Sequence, residues 1–200
     1  MNRLMTGLMV TATLVAPLMA AALKPTDKAP DFSAKASLAG KEIDFSLKAA
    51  LKKGPVVVYF YPSAFTGGCN IEAHTFAENK EKFDAAGASI IGVSRDSLPR
   101  LNAFSADPQY CAGKIAVASD PNGAIATSYG LTAMNLKPGM KDSRGVEIDH
   151  EFTERTTFVV TPDGKIAATL SSADDKISPA EHVQKSLAAV QQLGSKSGKN

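Results

Sequence analysis

The stretch Val56–Cys69 constrains the fold of this chain more than any other part of the sequence. Val56–Tyr61 is a short run of β-branched and aromatic residues, which predicts a buried strand. Pro62 ends the strand, because proline has no N–H to donate to a β-ladder. A short loop with two glycines follows, and an amphipathic helix is predicted to begin at or next to Cys69. A thiol there faces unpaired backbone N–H groups and the positive end of the helix dipole, and both favour the thiolate.

Strands and helices alternate on either side of this stretch. Upstream, Ser37–Phe45 predicts a hairpin that turns at Gly40, and Ser46 caps a short helix that ends near Lys53. The helix after Cys69 is predicted to turn Ile71 inward and Glu72 outward, and to stop before Gly87. Further along we expect strands at 88–94 and 115–118, helices at 97–106 and 120–130, a strand–turn–strand at 156–170, and a last helix from 179 to about 193.

The order of these elements predicts the fold class. Strands that alternate with helices, followed by a closing hairpin and helix, give a central mixed β-sheet with helices on both faces. We therefore expect an α/β protein with a thioredoxin-like fold and an N-terminal hairpin extension. The polar stretch 131–154 is predicted to be a loop or a loose hairpin.

The N-terminus is typical of a secretory signal peptide. Met1–Arg3 carries a positive charge, Leu4–Ala16 is almost wholly apolar, and small residues follow as far as Ala22. We expect residues 1–22 to be a signal peptide, cleaved after residue 20 or 22, because the apolar run is short for a stable membrane span. The alternatives are an uncleaved anchor or a core helix. Residues 23–194 are then one exported, periplasmic domain that is not in the membrane, and 195–200 a disordered tail.

Charge and metal-ligand spacing narrow the function classes. The chain has 22 Lys and Arg against 20 Asp and Glu, and this near balance gives no sign of nucleic-acid binding. His74, His150 and His182 have no metal-ligand spacing with the cysteines, so we expect helix or surface residues and no metal site. The sequence has no glycine-rich phosphate loop.

The only two cysteines, Cys69 and Cys111, leave two readings open. In an exported protein they can form a structural disulfide, or they can be a redox pair that opens and closes during catalysis. Thr66 occupies the position where a C-x-x-C motif has its first cysteine. The local dithiol is therefore missing, which disfavours disulfide exchange and leaves a thiol suited to attack a small electrophile such as a peroxide.

The pattern Pro62-x-x-x-Thr66-x-x-Cys69 resembles the active-site signature of the peroxiredoxins (AhpC/TSA superfamily), and residues 60–73 are similar to their bacterioferritin-comigratory (PrxQ) branch. Arg155, just before the strand at 156–160, fits the same family. The resemblance implies that Cys69 is the peroxidatic cysteine and forms a sulfenic acid. It implies that Thr66 hydrogen-bonds the thiolate and peroxide, that Arg155 lowers the thiolate pKa and polarises the leaving oxygen, and that Pro62 shields the sulfur.

Positions 72 and 74 also bear on this resemblance. Glu72 either supports the arginine or is a first-turn carboxylate favoured by the helix dipole. Many members of the branch carry a resolving cysteine five residues after the first, where this chain has His74.

The remaining candidate resolver is Cys111, so the resemblance implies an intramolecular Cys69–Cys111 disulfide that a thioredoxin-like donor reduces. It implies a monomer or homodimer that reduces hydrogen peroxide and organic hydroperoxides without a cofactor. The alternative is an exported thioredoxin-like binding or disulfide-exchange domain whose disulfide is structural.

Overall fold

The computed structural model describes residues 21–197, with side chains as far as residue 195. The predicted signal peptide therefore lies outside the described residues except for Ala21 and Ala22, as does the end of the predicted tail. Within 21–197, no helix has the combination of length and apolar character that spanning a bilayer requires.

Nine strands and six helices make up the described part of the chain. The strands are β1 (Ser33–Leu38), β2 (Lys41–Ser46), β3 (Val56–Phe60), β4 (Ser89–Ser94), β5 (Ala116–Ser119), β6 (Ala133–Met134), β7 (Phe152–Thr153), β8 (Thr156–Val160) and β9 (Ile166–Ser171). The helices are α1 (Leu47–Leu51), α2 (Gly67–Ala85), α3 (Leu98–Ala106), α4 (Ala124–Ser128), α5 (Ser172–Asp175) and α6 (Pro179–Ser197).

Seven of the strands form one mixed sheet in the order β2-β1-β5-β4-β3-β8-β9. Strand β3 pairs parallel with β4 and antiparallel with β8, and all five of its residues are buried. Val57 and Tyr59 belong to a core shared with α2, α3 and α6, whereas Val56, Val58 and Phe60 belong to a second core with residues of α1 and α4. The sheet therefore has helices on both faces, and the predicted α/β, thioredoxin-like fold is confirmed.

The predicted N-terminal hairpin is present as β1 and β2, and because β1 also pairs with β5, the hairpin extends the main sheet. Other local predictions need correction. The helix predicted at 120–130 spans only Ala124–Ser128, because Gly123 takes a left-handed conformation (φ 69°) that interrupts it. Helix α5 was not predicted, and α6 continues through Gly194 to Ser197.

The orientation predicted for the first turn of α2 is also wrong. Ile71 is 53% exposed, while Glu72 is fully buried. A carboxylate is rarely buried without a partner, so this inversion points to a cation on another element.

The polar stretch 131–154, called the insertion below, is a loop closed at its base by a short hairpin. Strands β6 and β7 pair antiparallel through Ala133↔Thr153 and Met134↔Phe152, in agreement with the predicted loop or loose hairpin. Asp142 and Ile148, which lie between β6 and β7 in the sequence, are both buried. The insertion therefore folds back onto the body of the protein.

Candidate active site

The loop between β3 and α2 places Cys69 in the first turn of a helix. Thr66 is the N-cap residue, with extended backbone angles, and Cys69 is the third residue of α2. The Thr66 hydroxyl makes no cap hydrogen bond and instead donates to the Ser63 carbonyl at 2.8 Å. Pro62 starts the loop and is half-buried. Cys69 is only 2% exposed, so its sulfur has almost no direct access to solvent.

Arg155 joins Cys69 to Glu72. One guanidinium nitrogen, Nη2, donates to Cys69 Sγ at 3.1 Å, and the other, Nη1, donates to a Glu72 carboxylate oxygen. The Glu72 side chain is fully buried and that of Arg155 is 10% exposed, so this is an interior ion pair. Of the two readings left open for Glu72, the structure favours the partner of the arginine.

Gly68 provides the space for this arginine. A Cβ atom at position 68 would lie 3.1 Å from Arg155 Nη2 and 3.3 Å from Pro179 Cγ, whereas a Cβ at position 67 would have no heavy atom within 4 Å. The two adjacent glycines therefore differ: the backbone at Gly68 lets the guanidinium approach the sulfur, and that at Gly67 faces open space.

Two opposing effects act on the Cys69 thiol. Burial raises the pKa of Cys69 and is the largest effect, while the charge of Arg155 and hydrogen bonds involving Thr66 and Ser63 lower it. The net pKa lies above that of an ordinary cysteine. The helix terminus and Arg155, which predicted a thiolate from the sequence, are outweighed by burial, which the sequence did not reveal.

Glu72 competes with Cys69 for the same cation. Burial raises the pKa of Glu72 to about 7, although Arg155 acts in the opposite direction. The carboxylate in turn raises the pKa of Cys69. The single positive charge of Arg155 is thus shared between two acids, Cys69 and Glu72. When Glu72 is protonated and neutral, that charge is free to stabilise a thiolate at Cys69.

His182, on α6, lies behind this pair and is fully buried. The Ser172 hydroxyl donates its single proton to the Ile177 carbonyl, so it accepts from His182 Nε2, and His182 Nδ1 accepts from the Thr157 hydroxyl. Burial, aided by the nearby Arg155 charge, lowers the pKa of His182 to about 4. The ring is therefore neutral, and it adds no second cation beside Arg155.

The prediction that all three histidines are helix or surface residues is only partly correct. His74 is exposed on α2 and pairs with Glu78 at 3.3 Å, and His182 is helical but buried. His150 lies in the insertion, with its side chain 11% exposed, and bonds to Asp96. Within residues 21–197, no three His, Cys, Asp or Glu side chains gather into a possible metal site.

Cys111 lies in the turn after α3, fully buried, and both cysteines are free. It belongs to the same core as Cys69, on the face covered by α2, α3 and α6. Burial raises the pKa of Cys111 well above its usual range, and the charge of Asp107 adds to this. The structure thus brings the two predicted cysteines into one core without joining them.

Sequence reasoning missed a polar cluster behind the loop that carries Thr66. Asp96, fully buried, accepts hydrogen bonds from the Ala64 backbone N–H at 2.7 Å, from Ser63 Oγ at 2.8 Å and from His150 Nε2 at 2.8 Å. A signal did exist, because β3 and β4 are parallel neighbours and Asp96 follows β4 just as the loop follows β3. Residues after adjacent parallel strands meet at one edge of the sheet.

The family comparison gives one match. Residues 25–169 match the model of the AhpC/TSA family. This range contains the proline, threonine, both cysteines and the arginine described above.

Individual relatives are similar over most of their length. The chain is 32% identical over 135 residues to peroxiredoxin Bcp of Xanthomonas campestris, which covers 68% of this chain and 75% of that protein. It is 28% identical over 144 residues to the chloroplastic peroxiredoxin Q of Sedum lineare, 71% of this chain and 66% of that protein. The structure is similar to the crystal structure of peroxidoxin BcpB from Mycobacterium tuberculosis, with a TM-score of 0.70 and 29% identity over 86% of this chain and 98% of that one.

Proposed function

Because the chain belongs to the AhpC/TSA family of peroxiredoxins, with Bcp and PrxQ-type proteins among its relatives, it is a peroxidase, and we propose that it reduces hydrogen peroxide and organic hydroperoxides at Cys69. The observation that carries the assignment is the bridge from Arg155 to Cys69 Sγ and Glu72. In this arrangement a fixed positive charge lies beside the attacking sulfur, where the negative charge of a departing alkoxide also develops.

In the first step the Cys69 thiolate attacks the terminal oxygen of ROOH. The O–O bond breaks, the sulfur is oxidised to a sulfenic acid, and the alkoxide takes a proton and leaves as ROH. Arg155 donates to the thiolate before the attack and to the peroxide during it, a role that its 3.1 Å contact with Cys69 Sγ supports. The Thr66 hydroxyl can turn from the Ser63 carbonyl towards the reacting atoms, since a hydroxyl rotates freely and has a single proton.

Glu72 is suited to hold the proton that Cys69 must lose. Its pKa of about 7 lets Glu72 carry a proton near neutral pH, although the pKa of Cys69 lies higher, so transfer from the thiol is uphill and relies on the Arg155 charge that it frees. Transfer from Cys69 to Glu72 leaves the guanidinium opposite the thiolate alone. The carboxyl has one buried oxygen, Oε1, with no hydrogen-bond partner among the described residues, and that oxygen can take the proton.

In the second step Cys111 resolves the sulfenic acid. The Cys111 sulfur forms an S–S bond with Cys69, the S–O bond breaks, and the Cys111 proton leaves with the hydroxyl as water. A thioredoxin-like dithiol then reduces the disulfide. Both thiols lie in one core and both are free, which supports this pairing over a permanent structural disulfide.

The setting of the reaction is also part of the proposal. Residues 1–22 have the composition of a signal peptide, so we place the mature enzyme, a monomer or homodimer, in the periplasm. The reductant is then an exported thioredoxin-like protein. N-terminal sequencing of the protein recovered from the periplasmic fraction tests the export: a mature N-terminus at residue 21 or 23 supports it, and an intact Met1 in the cytoplasmic fraction contradicts it.

Mass spectrometry after one equivalent of peroxide tests the chemistry. The parent protein should yield a Cys69–Cys111 disulfide, and Cys111→Ser should accumulate sulfenic acid at Cys69 that dimedone traps. Cys69→Ser should consume no peroxide with dithiothreitol or thioredoxin as donor. Full activity in Cys69→Ser would overturn the peroxidase mechanism. Unchanged thioredoxin-supported turnover in Cys111→Ser would overturn only the resolving role.

A further inference from the structure

The insertion makes direct contact with the loop that precedes Cys69. The Ser143 N–H donates to the Phe65 carbonyl at 2.9 Å, and the Arg144 guanidinium carbon lies 3.2 Å from the centre of the Phe65 ring. Cation–π contacts of this kind stabilise most where the ring is buried, and Phe65 is 1% exposed. We call residues 140–150 of the insertion the clasp.

A buried arginine links the clasp to the same loop a second time. Arg100 Nη2 lies 2.8 Å from both Asp142 Oδ2 and the Ala64 carbonyl oxygen, and its Nε lies 2.8 Å from Asp96 Oδ1. The Asp142 carboxylate in turn accepts from Arg144 Nη2 at 2.8 Å and from Arg144 Nε at 3.1 Å. Asp142 thus orients the guanidinium that covers Phe65.

His150 closes the far end of the clasp. Its Nδ1 faces the Glu151 carbonyl at 2.9 Å and its Nε2 faces the Asp96 carboxylate at 2.8 Å, so both ring nitrogens meet acceptors. Both must donate, which makes His150 an imidazolium in this geometry. Asp96 also accepts from Ser63 and from the Ala64 N–H, so the clasp contacts the loop directly at Phe65 and, through Asp96, is linked to Ser63 and Ala64.

Phe65 connects this loop to the resolving cysteine. Its ring packs edge-to-face against Phe104 at 5.0 Å and against Tyr110 at 5.5 Å, and Tyr110 directly precedes Cys111. Phe65 also holds a left-handed conformation (φ 62°) that a residue with a bulky side chain adopts only when its surroundings impose it. The Phe65 ring therefore lies between Arg144 on the outside and the Cys111 turn on the inside.

We propose that Arg144 is a positioning residue: by holding Phe65 against the Cys111 turn, it makes release of the clasp a step that limits disulfide formation but not peroxide attack. This inference rests on the proposed function, because it concerns the step in which Cys111 replaces the sulfenic hydroxyl of Cys69 and water leaves. The polar contacts of Arg144 among the described residues go to Asp142 alone, whereas Arg155 is the arginine that contacts Cys69.

Burial of Cys111 gives the release its chemical purpose. The thiolate is the attacking form, and the high pKa of the buried Cys111 keeps it as the thiol while the loop is closed. Movement of Phe65 exposes the Cys111 turn to water and removes the ring that packs against it. The clasp is a short segment, so its release from Phe65 breaks few contacts and can occur as a local opening of the folded protein.

Rapid-quench mass spectrometry on Arg144→Met and Glu151→Gln separates the two steps. Glu151→Gln is the matched control, because Glu151 lies in the insertion and forms a 2.6 Å ion pair with Arg95 but does not hold the 63–66 loop through its side chain. With hydrogen peroxide as substrate, we expect Arg144→Met to speed the conversion of sulfenic acid to disulfide by about 3- to 30-fold, the range that loss of one cation–π contact implies. The rate of sulfenic acid formation should stay within about twofold of the parent, and Glu151→Gln should change neither rate.

Three outcomes would decide against the proposal. An unchanged resolving rate in Arg144→Met, a slower one, or an equal acceleration in Glu151→Gln would each overturn it. If the parent forms no sulfenic acid at Cys69, the proposed function itself fails, which the same mass spectra distinguish from failure of the clasp.

Hydrogen exchange provides a second measurement on the parent protein, independent of any variant. The Ser143 and Ala64 amides should be protected in the reduced protein, because both donate to buried acceptors. Formation of the disulfide should raise exchange in 63–66 and 140–150 together. Unchanged protection of these two segments in the disulfide form would overturn the proposal, since the clasp would then not have opened.

Discussion

Replacing Gly68 by alanine tests whether the position of Arg155 sets the reactivity of Cys69. The added methyl would lie 3.1 Å from Arg155 Nη2 and 3.3 Å from Pro179 Cγ, both closer than an ordinary van der Waals contact. Pro179 begins α6 and has a rigid ring, whereas the guanidinium is the far end of a flexible side chain, so the guanidinium is the group that moves, by a few tenths of an ångström. That shift lengthens the 3.1 Å hydrogen bond to Cys69 Sγ.

The size of the effect follows from the bond that is weakened. A hydrogen bond involving a charged group contributes about 1.5–3 kcal/mol, and each 1.4 kcal/mol changes a rate tenfold. Partial to full loss therefore predicts a decrease of about 10- to 100-fold in the second-order rate constant for oxidation by hydrogen peroxide. The pH midpoint for alkylation of Cys69 by iodoacetamide should rise, because Arg155 lowers the pKa of that thiol and its contribution weakens.

Gly67→Ala is the matched control. It adds the same methyl group in the same helical turn, where no heavy atom lies within 4 Å. Alanine is favoured over glycine in a helix by up to about 1 kcal/mol, so both variants should be at least as stable to urea as the parent unless the clash at position 68 offsets the gain. A rate for Gly68→Ala within twofold of that for Gly67→Ala would refute the argument that Gly68 sets the arginine's position.

Three further predictions concern buried charges. Arg155→Met should slow oxidation of Cys69 by about 100-fold or more. Above pH 8 it should also destabilise the protein by about 3–5 kcal/mol, because it leaves the Glu72 carboxylate buried without a partner. The Arg155→Met/Glu72→Gln double variant should recover the stability in urea but not the oxidation rate. Glu72→Gln alone should lower the alkylation midpoint of Cys69, because the carboxylate raises the pKa of that thiol; an unchanged or higher midpoint contradicts the shared-cation argument. For His150, burial lowers the pKa, but the Asp96 carboxylate raises it by more, so the pKa of His150 is raised overall. For Asp96, burial raises the pKa, but hydrogen bonds from His150 and other donors lower it by more, so the pKa of Asp96 is lowered overall. The ion pair between His150 and Asp96 should therefore stabilise the clasp fully between about pH 4 and 6.5. This stabilisation should be lost as the pH rises through the pKa of His150 or falls through the pKa of Asp96. In hydrogen exchange, His150→Gln should abolish the alkaline decrease in protection of 63–66, and persistence of that decrease in the variant excludes His150 as its cause.

The linear order of elements could be predicted because it depends on interactions between residues close in sequence. The apolar run that forms β3 and the stop signal at Pro62 place the cysteine-bearing loop and helix correctly. The hairpin at Gly40 and the cap at Ser46 follow the same logic, and Ser46 does accept from the Ala49 N–H at 3.3 Å. The resemblance of residues 60–73 to a known signature then indicated Cys69 as the candidate reacting sulfur.

Burial of charge could not be predicted in the same way. Helical periodicity placed Glu72 on the solvent side, and the structure places it inside, because a guanidinium 83 residues later in the chain meets it there. Asp96 is buried for the same reason, with donors supplied by the loop after β3 and by His150, 54 residues away. A pattern in one segment does not contain the partner that makes burial of a charge tolerable.

The sequence by itself therefore determined the fold class, the place of Cys69 at a helix start and the candidate residues around its sulfur, Pro62, Thr66 and Arg155. Only the tertiary structure decided that Arg155 divides its charge between Cys69 and Glu72, that Cys111 is buried in the core with a raised pKa, and that the insertion contacts Phe65 beside Tyr110. The physical reason is that local propensity acts over a few residues, whereas the pKa of a buried acid and the mobility of a loop depend on groups that folding brings from distant parts of the chain.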